Sequence, residues 1–261
     1  IEVFNIGCRG QGGNFVVTMV TSSPIGDVVF DGCWWLNRSS WSEGEYPPHT
    51  SGIHLDDHRS LVFRNHKFKG FRGREHTLYD KSTTEGPTWI VQNDLHGENG
   101  GSFAGGSAMT VWTAPEDEVF IAGNVVLDAK YGCLMLGAQS VERNWLNEDG
   151  YPIKTVWVWD NTFDNSHQGH PPNLPKRSTA SVSSVQFAHI GPNDFQNGGT
   201  LTLDNEWQMT HSAGIRNGTV RLYGDGYRDL PIFTYDGNST RLLTTSEKDA
   251  LIVETPTLTN H

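Results

Sequence analysis

The sequence has little cysteine, few cationic residues and no long apolar run, and each shortage excludes a class of protein. Three cysteines in 261 residues are too few for a disulfide framework. No apolar run approaches the roughly 20 residues that span a bilayer. Lysine and arginine number 19 against 30 aspartates and glutamates, which gives a net charge of −11. A surface of that sign repels phosphate backbones, so we expect neither nucleic acid nor a membrane as a partner.

Helical patterns and common catalytic motifs are also scarce. No stretch keeps a 3.6-residue apolar period for long, and residues 246–251 are the best candidate for a short helix. The chain contains no Gly-x-Ser-x-Gly elbow of a serine hydrolase. His167 and His170 have the spacing of metal ligands but lack the third protein ligand that zinc requires. We therefore predict no metal site there, and we expect Cys33 and Cys133 to be small core residues.

The chain does contain a short recurring sequence motif, which we call the phrase. It is an alternating apolar run that ends in Asn or Gly and is followed by an aromatic or aliphatic residue, as in Val156–Asn161 with Phe163. Further copies lie at 28–32, 61–65, 89–93, 119–124, 201–205 and 220–224. A second alternating run precedes most of them, at 14–18, 52–56, 108–112, 132–136, 184–188 and 212–215. Repeats at tens of residues are typical of solenoids.

The two runs predict a coil made of a first strand, a bend, a second strand, an Asn or Gly corner and a loop. Alternation turns one face of each strand inward, and stacked coils bury that face. We expect one corner to hold a ladder of side chains that bond the backbone of the bend, namely Asn65, Asn93, Asn124, Asn161 and Asn205. Aromatic residues should stack inside just past that corner, at Trp35, Phe68, Phe163 and Trp207. An antiparallel sandwich or propeller is the alternative, which the scarcity of two-residue hairpin turns disfavours.

The phrase Val158-Trp159-Asp160-Asn161-Thr162-Phe163 resembles the coils of the pectate-lyase-like superfamily. This resemblance covers residues 1–230 and implies an all-β fold, a right-handed parallel β-helix solenoid with long loops on one side. The right hand also agrees with the general preference of parallel crossovers. Residues 231–261 lose the phrase, and we expect them to form a C-terminal cap or tail. The resemblance predicts an architecture and no particular activity.

The longer insertions follow the Asn corner in most coils, and equivalent loops of a solenoid emerge on the same side. We therefore expect a wall of loops whose aromatic and polar side chains contact sugars. The alternative is that these aromatic residues pin the long loops onto the solenoid. The candidate ligand-binding residues are Trp41, Tyr46, Arg72, Arg74, His96, Trp145, His167 and His170.

The densest ionisable cluster is the segment 54–58, His-Leu-Asp-Asp-His. Paired carboxylates serve as acid and base, or hold Ca²⁺. The resemblance implies that hydrolases of this superfamily use aspartates on an outward strand face, which makes Asp56 and Asp57, with His58 beside them, the candidate catalytic residues. Gly-His-Gly and Arg-x-Lys, the other pieces of that pattern, are absent, and a solvated turn is the alternative. No definite cofactor is predicted, and Ca²⁺ is the candidate.

Two functions remain open. The first is a non-catalytic β-helix on a virion or cell surface, such as a fibre, tailspike-like or adhesin segment. It would contact surface glycans through its loop wall and associate with other chains of a larger assembly. The chain begins inside a strand-like run at Ile1–Phe4, from which we expect a processed or partial chain. The second is a secreted polysaccharide lyase or glycoside hydrolase that acts on an extended polysaccharide. Both are extracellular.

Overall fold

The described chain folds into three β-sheets. The structure is a computed structural model, and it describes residues 1–4, 7–11, 17–19, 26–38, 53–55, 57–71, 78–80, 86–97, 108–127, 132–137, 146–164, 179–206, 209 and 215–254. Within these residues the sheets contain nine, seven and nine strands. The all-β class predicted from alternation is therefore confirmed.

The strands of each sheet are short, and most have three to five residues. The first sheet consists of β1 (Glu2–Phe4), β4 (Val28–Asp31), β7 (Leu61–Arg64), β10 (Thr88–Val91), β13 (Ala114–Ala122), β16 (Ile153–Trp159), β19 (Val185–Ile190), β22 (Thr219–Tyr223) and β25 (Ile252–Val253). The second consists of β2 (Gly7–Gln11), β5 (Trp34–Arg38), β8 (Lys67–Phe71), β11 (Asp94–Gly97), β14 (Val125–Leu127), β17 (Thr162–Asp164) and β20 (Asp194–Gln196). The third consists of β3 (Val17–Met19), β6 (Ile53–Leu55), β9 (Leu78–Asp80), β12 (Met109–Val111), β15 (Leu134–Leu136), β18 (Ala180–Val182), β21 (Leu201–Leu203), β23 (Ile232–Tyr235) and β24 (Thr240–Leu242).

Up to β22 the chain visits the three sheets in rotation, so that each strand pairs with the strands one coil earlier and one coil later. These pairings are parallel up to the C-terminal hairpin, where β23 and β24 pair antiparallel. Long stacked parallel sheets in this order are compatible with a β-helix-like fold. Among the residues that the structure describes, no helix has both the length and the apolar character needed to cross a membrane.

Alternate side chains of the first two sheets point inward and form one core. In β13, for example, Val119 and Ile121 are fully buried, whereas Phe120 between them faces outward and is half-buried. Phe68 and Phe163 lie in the core of the second sheet, which confirms their predicted place past the corner. The four strands β12, β15, β18 and β21 of the third sheet have buried residues on both faces. The outward face of the third sheet is therefore closed to solvent along these four strands.

The corner between the first and second sheets is a two-residue turn in most coils. The first residue has a left-handed backbone, as at Gly32 with φ 68° and Asn65 with φ 59°, a conformation that Gly, Asn and Asp tolerate best. The second residue is buried inside the corner, and in successive coils it is Cys33, His66, Asn93, Asn124 and Asn161. Local turn chemistry thus explains why small and polar residues recur here.

The buried asparagines of this corner form a continuous hydrogen-bonded ladder, made of Asn93, Asn124, Asn161 and Asn193. The Nδ2 of Asn93 donates to Oδ1 of Asn124 over 2.8 Å, and the next two steps measure 2.8 and 2.9 Å. Each side chain also donates to a backbone carbonyl of the preceding coil, as Asn161 does to Ile121 O over 2.9 Å. The ladder therefore satisfies polar backbone groups that the tight corner leaves buried.

Two members of the predicted ladder are wrong. Asn65 is exposed and donates to Asp31 Oδ1 over 2.8 Å, because the next residue, His66, takes the buried corner position. Asn205 follows β21 in the third sheet and lies at a different corner, where its backbone N–H donates to Ser183 Oγ. Asn193 occupies the ladder position after Asn161 that was predicted for Asn205. Its coil has a three-residue corner that begins with Gly-Pro, so it does not show the phrase.

The coil predicted from the sequence has two strands, whereas the observed coil has three, one in each sheet. The second sheet was not recognised, because its strands follow the corner directly, as in β17. The runs at 184–188 and 201–205 exchange roles, because β19 belongs to the first sheet and β21 to the third. The other runs that include described strands keep their predicted roles.

Residues 231–254 add the last strands to two of the sheets. β23 pairs with β21, and β25 pairs with β22. Helix α1 (Thr245–Leu251) lies where residues 246–251 predicted a helix, and a capping box of Thr244 and Glu247 starts it. The predicted boundary between β-helix and cap near residue 230 stays a prediction.

Candidate functional site

The candidate catalytic cluster lies at the bend after β6. Asp56 is outside the described residues. Asp57 is half-buried with a left-handed backbone at φ 46°, and His58 is fully buried. The register pairs residue 54 with residue 18 of β3 and residue 79 of β9 in the third sheet. The catalytic role of these residues stays a prediction, and buried His58 has no direct access to a polymer at the surface.

Most of the predicted loop wall lies outside the described residues. This applies to Trp41, Tyr46, Arg72, Arg74, Trp145, His167 and His170. His96 is described and lies half-buried on β11, with Nε2 2.5 Å from Asp94 Oδ1. The pair is on the outward side of the second sheet, and its part in ligand binding stays a prediction. The described residues contain no group of three or more His, Cys, Asp or Glu that could hold a metal ion.

The most distinctive surface of the described chain is the outward side of the first sheet, which we call the aromatic face. It carries ring side chains on five successive strands, at Trp89, Phe120, Trp157, Trp159, Phe187, His189 and Tyr223. Trp89 and Phe187 are each 40% exposed. Large apolar side chains grouped at a surface mark interaction sites in soluble proteins. The aromatic face is therefore the candidate functional site.

Strand register aligns four of these rings in one column. Trp89, Phe120, Trp157 and His189 are direct neighbours on β10, β13, β16 and β19. Trp89 stacks on Phe120 with centroids 4.0 Å apart and planes 11° apart. Trp157 stacks on His189 with the same separation and an angle of 10°. Because parallel strands lie about 4.8 Å apart, rings on adjacent strands can stack, and the column contains two stacked pairs.

A second column runs beside the first and contains Trp159, Gly191 and Tyr223. The strand hydrogen bond from Gly191 N to Val158 O, 2.8 Å long, sets this register. A side chain at Gly191 would meet the Trp159 ring, since an added Cβ would lie 2.0 Å from two of its carbons. The indole therefore lies across the glycine and reaches Tyr223, with ring centroids 5.3 Å apart.

Polar groups border the rings. Trp157 Nε1 donates to Glu118 Oε1 over 3.3 Å, and His189 Nδ1 lies 2.9 Å from the Tyr223 hydroxyl. Partial burial, assisted by the charge of Arg221, lowers the pKa of His189 below its ordinary value, against the opposing effect of Glu118. His189 is therefore mainly neutral at pH 7 and offers one donor and one acceptor nitrogen. The face combines apolar rings with neutral and charged hydrogen-bonding groups.

A cleft of about 520 Å³ opens at the C-terminal end of the aromatic face. Tyr223 lines it together with Pro192, Phe195, Asp225, Tyr227 and Asp229. The Tyr227 hydroxyl donates to Gly191 O and accepts from Asn193 Nδ2, and burial raises the pKa of Tyr227. Tyr227 thus closes the end of the asparagine ladder and forms a wall of the cleft.

The strand pattern alone predicts strand positions for Trp89, Phe120, Trp157 and Trp159 and no binding role. A signal for the face was present in Val156-Trp157-Val158-Trp159, because inward valines turn both tryptophans outward. Trp89 and Phe120 occupy the matching outward positions of the two earlier copies. Aligning the copies by their asparagines would have collected these rings into one column.

No protein-family model, curated protein or solved structure matches this chain.

Proposed function

We propose that this protein is a non-catalytic glycan-binding protein of a cell or virion surface, with the aromatic face as its binding surface. The observation that carries the proposal is the column of stacked, partly exposed rings on a parallel sheet. The proposal includes extracellular location, as part of a fibre, tailspike-like or adhesin segment that associates with further chains.

The proposal includes a right-handed parallel β-helix of the pectate-lyase-like kind. The rotation of the chain through three parallel sheets supports it, and so does the tight corner that repeats from coil to coil. The right hand follows from the strong preference of parallel crossovers. Such a scaffold presents side chains at regular intervals along its axis, which suits an elongated ligand.

The chemistry of the aromatic face matches the chemistry of sugars. A pyranose ring has apolar C–H faces and a rim of hydroxyl groups. Trp and Tyr offer large apolar surface at low cost in conformational entropy. Glu118 and His189 lie next to these rings and can bond hydroxyl groups. Binding sites of this composition, with rings for area and few polar groups for orientation, are typical of small-molecule and sugar ligands.

A matched pair of tryptophans tests the proposal. Trp89 on the aromatic face is 40% exposed, and Trp34 on the second sheet is 43% exposed. We expect Trp89→Ala to weaken binding to the best ligand of a neutral and acidic glycan panel by roughly tenfold, or about 1.4 kcal/mol, which is more than most interface residues contribute. We expect Trp34→Ala to leave the affinity within about twofold. Isothermal titration calorimetry measures both.

Three results would contradict the proposal. Absence of binding by the unmodified protein to any glycan of the panel would overturn it altogether. Equal losses in the two variants would show that the aromatic face is not the binding surface. Release of reducing ends or of unsaturated uronates, with or without Ca²⁺, would show that the protein is a hydrolase or lyase instead.

A further inference from the structure

Trp159 differs from the other rings of the aromatic face in how it lies. The stacked rings of the first column turn their faces toward one another. The indole of Trp159 instead covers Gly191, since an outward Cβ at Gly191 would lie 2.0 Å from ring atoms Cδ2 and Cε3 and 2.5 Å from Cε2. One face of this ring is thus turned down onto the sheet, and the opposite face is turned away from it.

Neighbouring groups hold the indole in that position. Tyr223 flanks the ring at 5.3 Å with an angle of 48° between the planes. Tyr223 is itself buried, and its hydroxyl is 2.9 Å from His189 Nδ1. His189 in turn stacks on Trp157. A ring that is fixed before the ligand arrives loses little entropy on binding.

We infer that Trp159 forms a subsite that stacks one neutral pyranose ring, with the next sugar directed into the cleft beside Tyr223. This inference rests on the proposed glycan-binding function and adds the residue and the class of sugar. The outward face of the indole supplies the flat apolar surface that the C–H face of a sugar requires. The cleft of about 520 Å³ is within the usual range of ligand sites, roughly 300–1,000 Å³.

The charges around the cleft select the class of sugar. Asp225 and Asp229 line it, and carboxylates accept hydrogen bonds from hydroxyl groups. Arg228 is engaged by Asp225 and Asp249. No lysine or arginine is among the described residues that line the cleft. The cleft therefore disfavours uronates and other anionic sugars, because like charges close together reduce affinity.

A purely structural role is the competing explanation, in which Trp159 only shields the backbone at Gly191. Two substitutions separate the explanations. Trp159→Ala removes the ring, whereas Gly191→Ala keeps the ring and forces it off the sheet. Trp159→Phe keeps an aromatic face of smaller area at the same place.

The test measures affinity for neutral hexasaccharides and for a galacturonate hexasaccharide by calorimetry, together with tryptophan fluorescence and thermal unfolding. We expect Trp159→Ala and Gly191→Ala each to weaken neutral-sugar binding at least tenfold. We expect Trp159→Phe to weaken it less than Trp159→Ala, and Trp34→Ala to leave it unchanged. The unmodified protein should bind the neutral sugars at least tenfold more tightly than the galacturonate, and neutral sugar should quench its fluorescence.

The possible results separate the Trp159 subsite from the proposed glycan-binding function. If neutral sugars bind with the same affinity to the unmodified protein, Trp159→Ala and Gly191→Ala, the subsite is wrong while the glycan-binding function stands. Preference for the galacturonate overturns the class of sugar. Absence of any binding overturns the proposed function and this subsite with it. Should Trp159→Ala fail to fold, Trp159→Phe and the quenching of the unmodified protein decide the question.

Discussion

His66 occupies the corner position that asparagine fills in the four coils that follow. Its backbone N–H donates to Asn93 Oδ1 over 3.1 Å, so it continues the ladder on one side. Its ring nitrogens lie 3.1 Å from Cys33 O and 3.2 Å from Phe30 O. Burial lowers the pKa of His66 from 6.5 to about 4, although both carbonyl contacts oppose the shift. The folded protein therefore keeps this imidazole neutral in mild acid.

Acid should destabilise the fold through His66. Below pH 6.5 the unfolded chain takes up a proton at this residue, whereas the folded chain does so only near pH 4. Stability contributed by His66 is thus present above pH 6.5 and is lost as the pH falls toward 4, by on the order of 3 kcal/mol. We expect the free energy of unfolding, measured with urea, to fall less between pH 7 and pH 4 in His66→Asn than in the unmodified protein.

The matched control for this prediction is His189→Asn. It removes a histidine of the aromatic face and leaves His66 in place, so most of the acid-induced loss should remain. An unchanged difference between pH 7 and pH 4 in His66→Asn would contradict the prediction.

At the scale of elements, the asparagine ladder connects the first and second sheets through the corner they share. Asn161 is 1% exposed and accepts at Oδ1 from both Nδ2 and the backbone N–H of Asn124. Its own Nδ2 donates to Ile121 O and to Asn193 Oδ1. A single side chain thus links its own coil to polar groups of the coil before it and the coil after it.

Removal of one ladder member should lower the free energy of unfolding far more than removal of a surface asparagine. We expect Asn161→Ala to lower the free energy of unfolding by about 2–4 kcal/mol, because several buried polar groups lose their partners. Asn65→Gly should change it by no more than about 0.5 kcal/mol, since Asn65 is exposed and glycine adopts its left-handed backbone without strain. Chemical denaturation of both variants provides the measurement. Equal effects would show that the ladder is not a stabilising unit.

At the scale of the whole molecule, the C-terminal segment covers strands that would otherwise be unpaired. β23 pairs with β21 of the third sheet, and β25 pairs with β22 of the first sheet. Lys248 Nζ donates to Arg228 O over 3.0 Å and to Leu230 O over 2.6 Å, and Arg228 is paired with Asp249. Glu247 binds Arg241 and caps α1, and the pKa of Glu247 is accordingly lowered to about 2. These contacts tie the segment to the preceding coil.

Deletion of residues 231–261 should make copies of the chain associate with one another. A chain ending at Leu230 exposes the edges of β21 and β22, and unpaired strand edges recruit other chains. We expect a larger species in size-exclusion chromatography with light scattering, and a lower Tm than that of the full chain. A chain ending at Glu254 keeps all these pairings and should behave like the full chain. If the chain ending at Leu230 matched it as well, residues 231–254 would not be a cap.

The sequence predicted much of the fold and little of the candidate site. Alternation identified strands of the first and third sheets because inward and outward positions differ in polarity. It missed β17 and β20 of the second sheet, because each follows the corner directly and was read as the residues after the corner and not as a separate strand. The aromatic face joins residues about 30 positions apart, and their proximity depends on register, which one strand alone does not specify.

By itself, the amino-acid sequence determined the strand-forming runs, the left-handed corners and helix α1, because these depend on alternation, turn chemistry and capping within a few residues. Only the tertiary structure decided that His66 replaces Asn65 in the corner and that Asn193 continues the ladder. It also brought Trp159 over Gly191 and placed four rings of the aromatic face in one column. These outcomes depend on which residues the parallel register sets side by side, and that register is settled by the packing of all coils together.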